Sequence, residues 1–250
     1  PATDGRMRLV VSGALTAALN QSTAPADNLV IRAAGELVRA AGGKSLPPMK
    51  LSLLKRIPIA AGLGGGSADA AAALRLLDRL WRLDLGEAKL AEIGLTLGAE
   101  VPMCLQSRPL VARGIGERIT PVFGMPAMPI VLAQPRASVA TAAVFRRLAE
   151  GERTPLPTMP ARFKSLLDVI FWLRQARNDL TLPAAAVSKS AGAAAKALMR
   201  DPDCLFARMS GSGAAAFGIF ASMAAAERAA ARISEQKPNW WVAPMMTRPS

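Results

Sequence analysis

The stretch Pro58–Leu80 reads PIAAGLGGGSADAAAALRLLDRL and sets Gly62, Gly64, Gly65 and Gly66 directly against a run of helix formers. Glycine lets a backbone take φ > 0 and come close to a ligand with no Cβ in the way. The helix that follows presents unpaired amides and the positive end of its macrodipole. Loop and helix start together predict a site for an anionic group such as a nucleotide phosphate. The preceding MKLSLLKRIPIA is predicted as a strand ending at Pro58, and the helix is predicted from about Ser67 to Arg82. The Ser67 hydroxyl then either caps the helix or binds phosphate or Mg²⁺. No Lys follows the last glycine, so this is not a Walker A loop, and no acidic ribose partner stands at the spacing of a dinucleotide fingerprint. The plain alternative is a flexible connector that precedes a helix.

The chain has 250 residues and no His or Tyr. Ser-His-Asp and Cys-His catalysis and His-based metal sites are therefore excluded, leaving carboxylates, Lys, Arg, Ser, backbone amides and bound metal to carry any chemistry. A net charge of +13 favours anionic partners. The basic residues are scattered, without a basic tail or interleaved aromatics, so small anions are expected rather than nucleic acid. No apolar run reaches membrane-spanning length, and no secretory pattern opens the chain, so a cytoplasmic protein without a membrane partner is expected. Cys104 and Cys204 lie far apart and read as small buried hydrophobes in a reducing compartment.

Along the chain, RMRLVVSGAL is predicted as a strand. PADNLVIRAAGELVRAAGG is a helix capped by Asp27 or Asn28, with Leu29, Ile31, Ala33, Leu37 and Val38 on its apolar face. In the helix after the glycine loop, Leu74, Leu77, Leu80 and Trp81 are expected to share one face. LGEAKLAEIGLTLG is a further helix stopping at Gly98, and EVPMCLQSRPLVARGIGERITPV reads as strands joined by turns. From Val122 onward come the strand MPIVLAQP, the helix SVATAAVFRRLAEG and the Pro-rich connector TPLPTMPARF. The helices FKSLLDVIFWLRQARNDL and AVSKSAGAAAKALMRD follow. CLFARMSGSGAAAFGIFAS is strand, glycine turn, strand; MAAAERAAARISE is a last helix and NWWVAPMMT a last strand. The alternation predicts an α+β architecture of two lobes, 1–121 and 122–250.

PIAAGLGGGSADAAAALRLL resembles the ATP-binding motif of the GHMP small-molecule kinases. LTLGAEVPMCL resembles the catalytic segment, ARGIGERITPV the turn after it, ARNDL a helix end of the second lobe, and MSGSGAAAFGIF the third motif of the family. Within the family, the likeness is to the members that phosphorylate a cytidylylated sugar alcohol. It implies a ribosomal-S5-like N-terminal lobe, here without its first strands, a ferredoxin-like C-terminal lobe, and an active site between them. It also implies ATP and Mg²⁺, transfer of the γ-phosphoryl group to a substrate hydroxyl in isoprenoid biosynthesis, and a monomer or homodimer.

Carried onto this sequence, the resemblance makes Glu100 the catalytic base in a position where the family has Asp. It assigns the phosphates of ATP to Pro58, Ala60, Gly62, Leu63, Gly64, Gly65, Gly66, Ser67 and Ala68 and to the second turn Ser210, Gly211, Ser212 and Gly213. Ser67 would also serve Mg²⁺, and Phe145 would stack on the cytosine. The plain alternatives are a solvated loop carboxylate for Glu100, a tight hairpin for Ser210–Gly213 and a core position for Phe145. Asn178 and Asp179 are expected to cap or staple the second lobe, and Asp69 to favour the helix dipole from the first turn. The family also opens with a segment carrying a Lys, an Asn and a Tyr-His pair that has no match here. A kinase, or a catalytically impaired nucleotide-binding pseudo-kinase or fragment of one, are therefore both open.

Overall fold

The computed structural model describes residues 7–16, 24–59, 61–137, 139–148 and 155–249. The chain divides into two compact units, Pro1–Ile59 with Gly64–Pro121, and Ala60–Leu63 with Val122–Ser250. Ala61, Gly62 and Leu63 of the glycine loop thus group with the second unit, whereas the expectation put all of 1–121 in the first.

In the first unit, β1 (Arg8–Ser12) pairs in parallel with β2 (Lys50–Leu54), Leu9 opposite Leu51 and Val11 opposite Leu53. β2 stops at Leu54, four residues short of the expected end. α1 (Leu29–Ala40) starts at Asn28, whose side chain accepts the Val30 amide at 3.0 Å. Its buried stripe is Val30, Ala33, Ala34 and Leu37, an i, i+3, i+4, i+7 pattern, whereas Val38 is exposed. α2 (Gly65–Trp81) presents Ala70, Ala71, Ala73, Leu74, Leu77 and Trp81 to the same core, and Leu80 falls outside that face. The alanines let helices approach closely. α3 (Gly86–Leu97) adds Leu90, Ile93 and Leu97.

The segment expected to begin with a strand at EVPMCLQ is instead helical, α4 (Val101–Gln106). Pro102 sits in its first turn, where no intrahelical N–H is needed. At its other end the Arg75 guanidinium donates to the carbonyls of Cys104 (3.3 Å) and Leu105 (2.8 Å). Those long-range bonds satisfy carbonyls that a helix this short leaves open. β3 (Leu110–Arg113) and β4 (Arg118–Pro121) then form an antiparallel hairpin.

The second unit contains β5 (Pro129–Gln134), α5 (Thr141–Arg146), α6 (Leu166–Gln175), α7 (Thr181–Val187), α8 (Ala193–Arg200), β6 (Cys204–Met209), β7 (Ala216–Phe220), α9 (Met223–Gln236) and β8 (Trp241–Met246). Its antiparallel sheet runs β6-β7-β5-β8. Alternate residues of a strand face opposite sides. Val131 and Ala133 accordingly pack with Leu198 of α8 and Ala229 and Ile233 of α9, while Ile130 packs with Ile170 of α6. Helix and sheet are mixed in both units, as the α+β expectation requires. Cys104 and Cys204 are free thiols and only half-buried, a correction to the fully buried reading. No helix among the described residues is long and apolar enough to cross a membrane.

Candidate active site

The helix after the glycine loop begins at Gly65, two residues before the expected start, and Gly64 caps it in the left-handed region with φ 63° and no side-chain bond. Ile57 and Leu29 pack beside this start at ordinary contact distance. A Cβ on Gly65 would stand 3.4 Å from Ile57 Cγ2, and one on Gly66 would stand 3.5 Å from Leu29 Cδ1. Ser67 is consequently the third helical residue and not the cap. Its hydroxyl instead faces Glu100, with Oγ 3.4 Å from Oε2. The Glu100 carboxylate also reaches Gly64, where a Cβ would lie 3.0 Å from Oε2. The expected base thus hangs over the N-terminus of α2, whose first amides have no carbonyl within the helix to bond.

Glu100 precedes α4 and is fixed on both sides, since Val101 N–H donates to Gly98 O and Cys104 N–H to Glu100 O, each at 3.0 Å. The carboxylate is exposed and open to a substrate. Its charge is felt at Cys104, whose thiol is pushed up first by burial and then by Glu100.

One residue of this site escaped the sequence reading. Lys55 is 6% exposed, and its ammonium donates to Asp69 Oδ2 at 2.7 Å. The Nζ atom lies 3.6 Å from where a Gly65 Cβ would be, directly behind the loop. Because α2 starts at Gly65, Asp69 lies beyond the first turn, so its role is this ion pair and not the helix dipole. The available signal was a lysine at the end of a strand entering a glycine loop, with a carboxylate fourteen positions on.

In the second unit, Ala61–Leu63 lie against the Ser210–Gly213 turn. The Ser210 hydroxyl donates to Gly62 O at 2.8 Å, and Ala215 N–H donates to Ala61 O at 3.1 Å. Gly62 has φ +72°, and a Cβ there would lie 2.6 Å from Ser210 O and 2.9 Å from Gly213 O, so no other residue fits. The turn is the wide loop Ser210–Ala215 between β6 and β7, not a tight hairpin. Ser212 is 5% exposed and its hydroxyl lies 2.9 Å from that of Thr141, while Gly211 faces solvent. Asn178 staples this loop, donating to Met209 O (3.1 Å) and Gly211 O (2.8 Å) and accepting from Leu180 N–H. Asp179 accepts from Arg177 at 2.6 Å.

Phe145, in α5, is 54% exposed, which corrects the core alternative. Pro58 and Leu63 are half-buried and Ala68 is exposed. Ala60 lies outside the described residues. Within the first unit the structure therefore gathers Gly64, Gly65, Gly66, Ser67 and Glu100, with Lys55 and Asp69 behind them. Within the second it gathers Gly62 with Ser210 and Gly213.

The chain is similar to known proteins over most of its length. The description "GHMP kinases N terminal domain" matches residues 28–107, and "GHMP kinases C terminal" matches residues 163–239. A 4-diphosphocytidyl-2-C-methyl-D-erythritol kinase of Chelativorans sp. (strain BNC1) is 44% identical over 223 residues, covering 89% of this chain and 75% of the relative. The protein of that name from Dinoroseobacter shibae (strain DFL 12) is 42% identical over 245 residues, covering 98% of this chain and 80% of the relative. A crystal structure of 4-(cytidine 5'-diphospho)-2C-methyl-D-erythritol kinase superposes with a TM-score of 0.72 at 29% identity, over 97% of this chain and 83% of that one. The chain is a small-molecule kinase and belongs to the GHMP kinases and, within them, to the 4-diphosphocytidyl-2-C-methyl-D-erythritol kinase family.

Proposed function

We propose that the chain transfers the γ-phosphoryl group of ATP to the 2-hydroxyl of 4-diphosphocytidyl-2-C-methyl-D-erythritol, with Glu100 as the base. The observation that carries this reading is the Glu100 carboxylate standing over the glycine-capped start of α2, within reach of Ser67. The open amides of that helix turn and its positive end receive the phosphates. The neighbouring carboxylate accepts the proton of the attacking hydroxyl as the new phosphorus–oxygen bond forms. Lys55, held by Asp69 behind Gly65, adds a fixed positive charge where negative charge develops. Gly211, exposed in a turn braced by the Ser210 and Ser212 hydroxyls, offers backbone to the nucleotide. Phe145, exposed on α5, is available to stack on the cytosine, a contact worth about 1–3 kcal/mol in comparable base-stacking sites.

The Ser67 hydroxyl, in the first turn of α2, is a hard oxygen donor. It would suit Mg²⁺, which binds through one or two protein oxygens and completes its shell with phosphates and water. When bound, the ion neutralises charge on the transferring phosphoryl group.

The test is coupled-assay phosphorylation of the cytidylylated methylerythritol by the chain and by Glu100→Gln, with ATP binding measured by calorimetry in Mg²⁺. The expected result is loss of kcat by at least 10²-fold in the variant while ATP still binds. A variant that turns over like the parent removes Glu100 as base, and a folded parent that binds no ATP removes the phosphate cradle.

A further inference from the structure

The ARGIGERI segment supplies no group to the proposed chemistry, yet its geometry is directed at the base. The tip of the β3–β4 hairpin is Gly114–Glu117. The Glu117 carboxylate folds back into that tip and accepts the Ile115 amide at 2.7 Å. Backbone bonds of this kind hold its carboxyl below the usual range. Gly114 leaves the space this carboxylate occupies, since a Cβ there would collide with it. Gly116 then turns outward with φ +111°, and its Cα side is pressed so closely on the Ala99 carbonyl that a Cβ would overlap the oxygen. Ala99 is the residue immediately before Glu100.

We propose that Gly116, locked by Glu117, is a positioning residue for the base: the hairpin tip holds the Ala99 peptide, and through it the backbone from which the Glu100 side chain reaches Ser67. Separate bonds hold the chain on either side of this peptide. Gly98 O and Glu100 O are already tied by Val101 N–H and Cys104 N–H, and the far end of α4 is tied by Arg75. Against the Ala99 carbonyl itself stands the hairpin tip at Gly116. Any side chain at position 116 must push the Ala99 carbonyl away and carry the Glu100 carboxylate with it. A displacement near 1 Å of a catalytic group costs on the order of 10²-fold in rate. The inference rests on Glu100 being the base.

The experiment compares the parent chain, Gly116→Ala, Glu117→Gln, Glu100→Gln and the double variant Gly116→Ala/Glu100→Gln. Steady-state kinetics give kcat and KM for ATP, and alkylation of Cys104 in a Cys204→Ser background is followed against pH. The expected result is a fall in kcat of roughly 10-fold or more for Gly116→Ala and a smaller fall for Glu117→Gln, with KM for ATP within about twofold. The double variant is expected to be no slower than Glu100→Gln alone, because both changes act on one group. The pH at which Cys104 alkylates is expected to drop in Gly116→Ala, in the direction that Glu100→Gln drops it. Multiplying losses in the double variant, or an unchanged kcat and Cys104 profile in Gly116→Ala, overturns the inference while leaving Glu100 as base. Should Gly116→Ala not fold, Glu117→Gln carries the same comparison, and an unchanged kcat there is equally fatal. If Glu100→Gln itself keeps full activity, the base reading and the inference fall together.

Discussion

Replacing Lys55 with Met keeps the length of the side chain and removes its charge, which isolates the ion pair behind the glycine loop. Breaking a buried pair by deleting one partner costs about 3–5 kcal/mol when the survivor is fully buried. Asp69 keeps 26% of its side chain in water, so the cost for Lys55→Met scales down to about 2–4 kcal/mol. Asp69→Ala strands the lysine, whose side chain is 8% exposed, and should reach about 3–5 kcal/mol. The double variant leaves no unpaired charge, so it should be more stable than the sum of the two losses predicts by at least about 2 kcal/mol. Urea unfolding, followed by tryptophan fluorescence with linear extrapolation, measures all four proteins. Losses that add to within about 0.5 kcal/mol would show that the pair is not coupled and refute the reasoning. ATP affinity in the same proteins separates stability from function, because a charge directly behind Gly65 should weaken phosphate binding when removed even where the fold survives.

At Gly62, Ala must adopt φ +72° and push on two carbonyls, so Gly62→Ala should lose about 1–3 kcal/mol or more in urea unfolding. Gly66→Ala meets only Leu29 Cδ1 at 3.5 Å and should be neutral or gain up to about 1 kcal/mol; equal losses at the two sites would contradict the close approach. Burial pushes the Cys204 thiol up to about 11 from 9.0. It therefore stays protonated while the unfolded chain ionises, so its contribution to stability falls as pH rises between those values, and its alkylation should accelerate only above about pH 10. An alkylation midpoint near 9 would contradict the burial. Leu77→Ala removes a fully buried side chain from the first unit's core and should cost about 2–5 kcal/mol in the same unfolding assay.

The sequence by itself determined the order of elements and most of the chemistry available. Periodicity and caps located α1 and α3, and alternation located β1, because those signals are local and each of these elements buries one face. The glycine run followed by Ser67 and alanines announced a phosphate cradle, since φ > 0 and missing Cβ atoms are properties of residue types. The absence of His and Tyr fixed which chemistries were closed. Tertiary structure decided what depends on partners distant in the chain. EVPMCLQ became a helix whose last carbonyls are met by Arg75, a residue of another helix that no local pattern points to. α2 began at Gly65 and not Ser67, with Gly64 in the left-handed region as its cap, a backbone choice that the residue types alone left open. Lys55 and Asp69 became a buried pair, and Ala61–Leu63 joined the second unit, through contacts that no local pattern encodes. Glu100 could be singled out from its motif, but only the fold shows the carboxylate over the start of α2 and the hairpin tip of Gly116 pressed on the peptide beside it. A side chain's chemistry belongs to its residue type, whereas its position depends on backbone segments that meet only when the chain is packed.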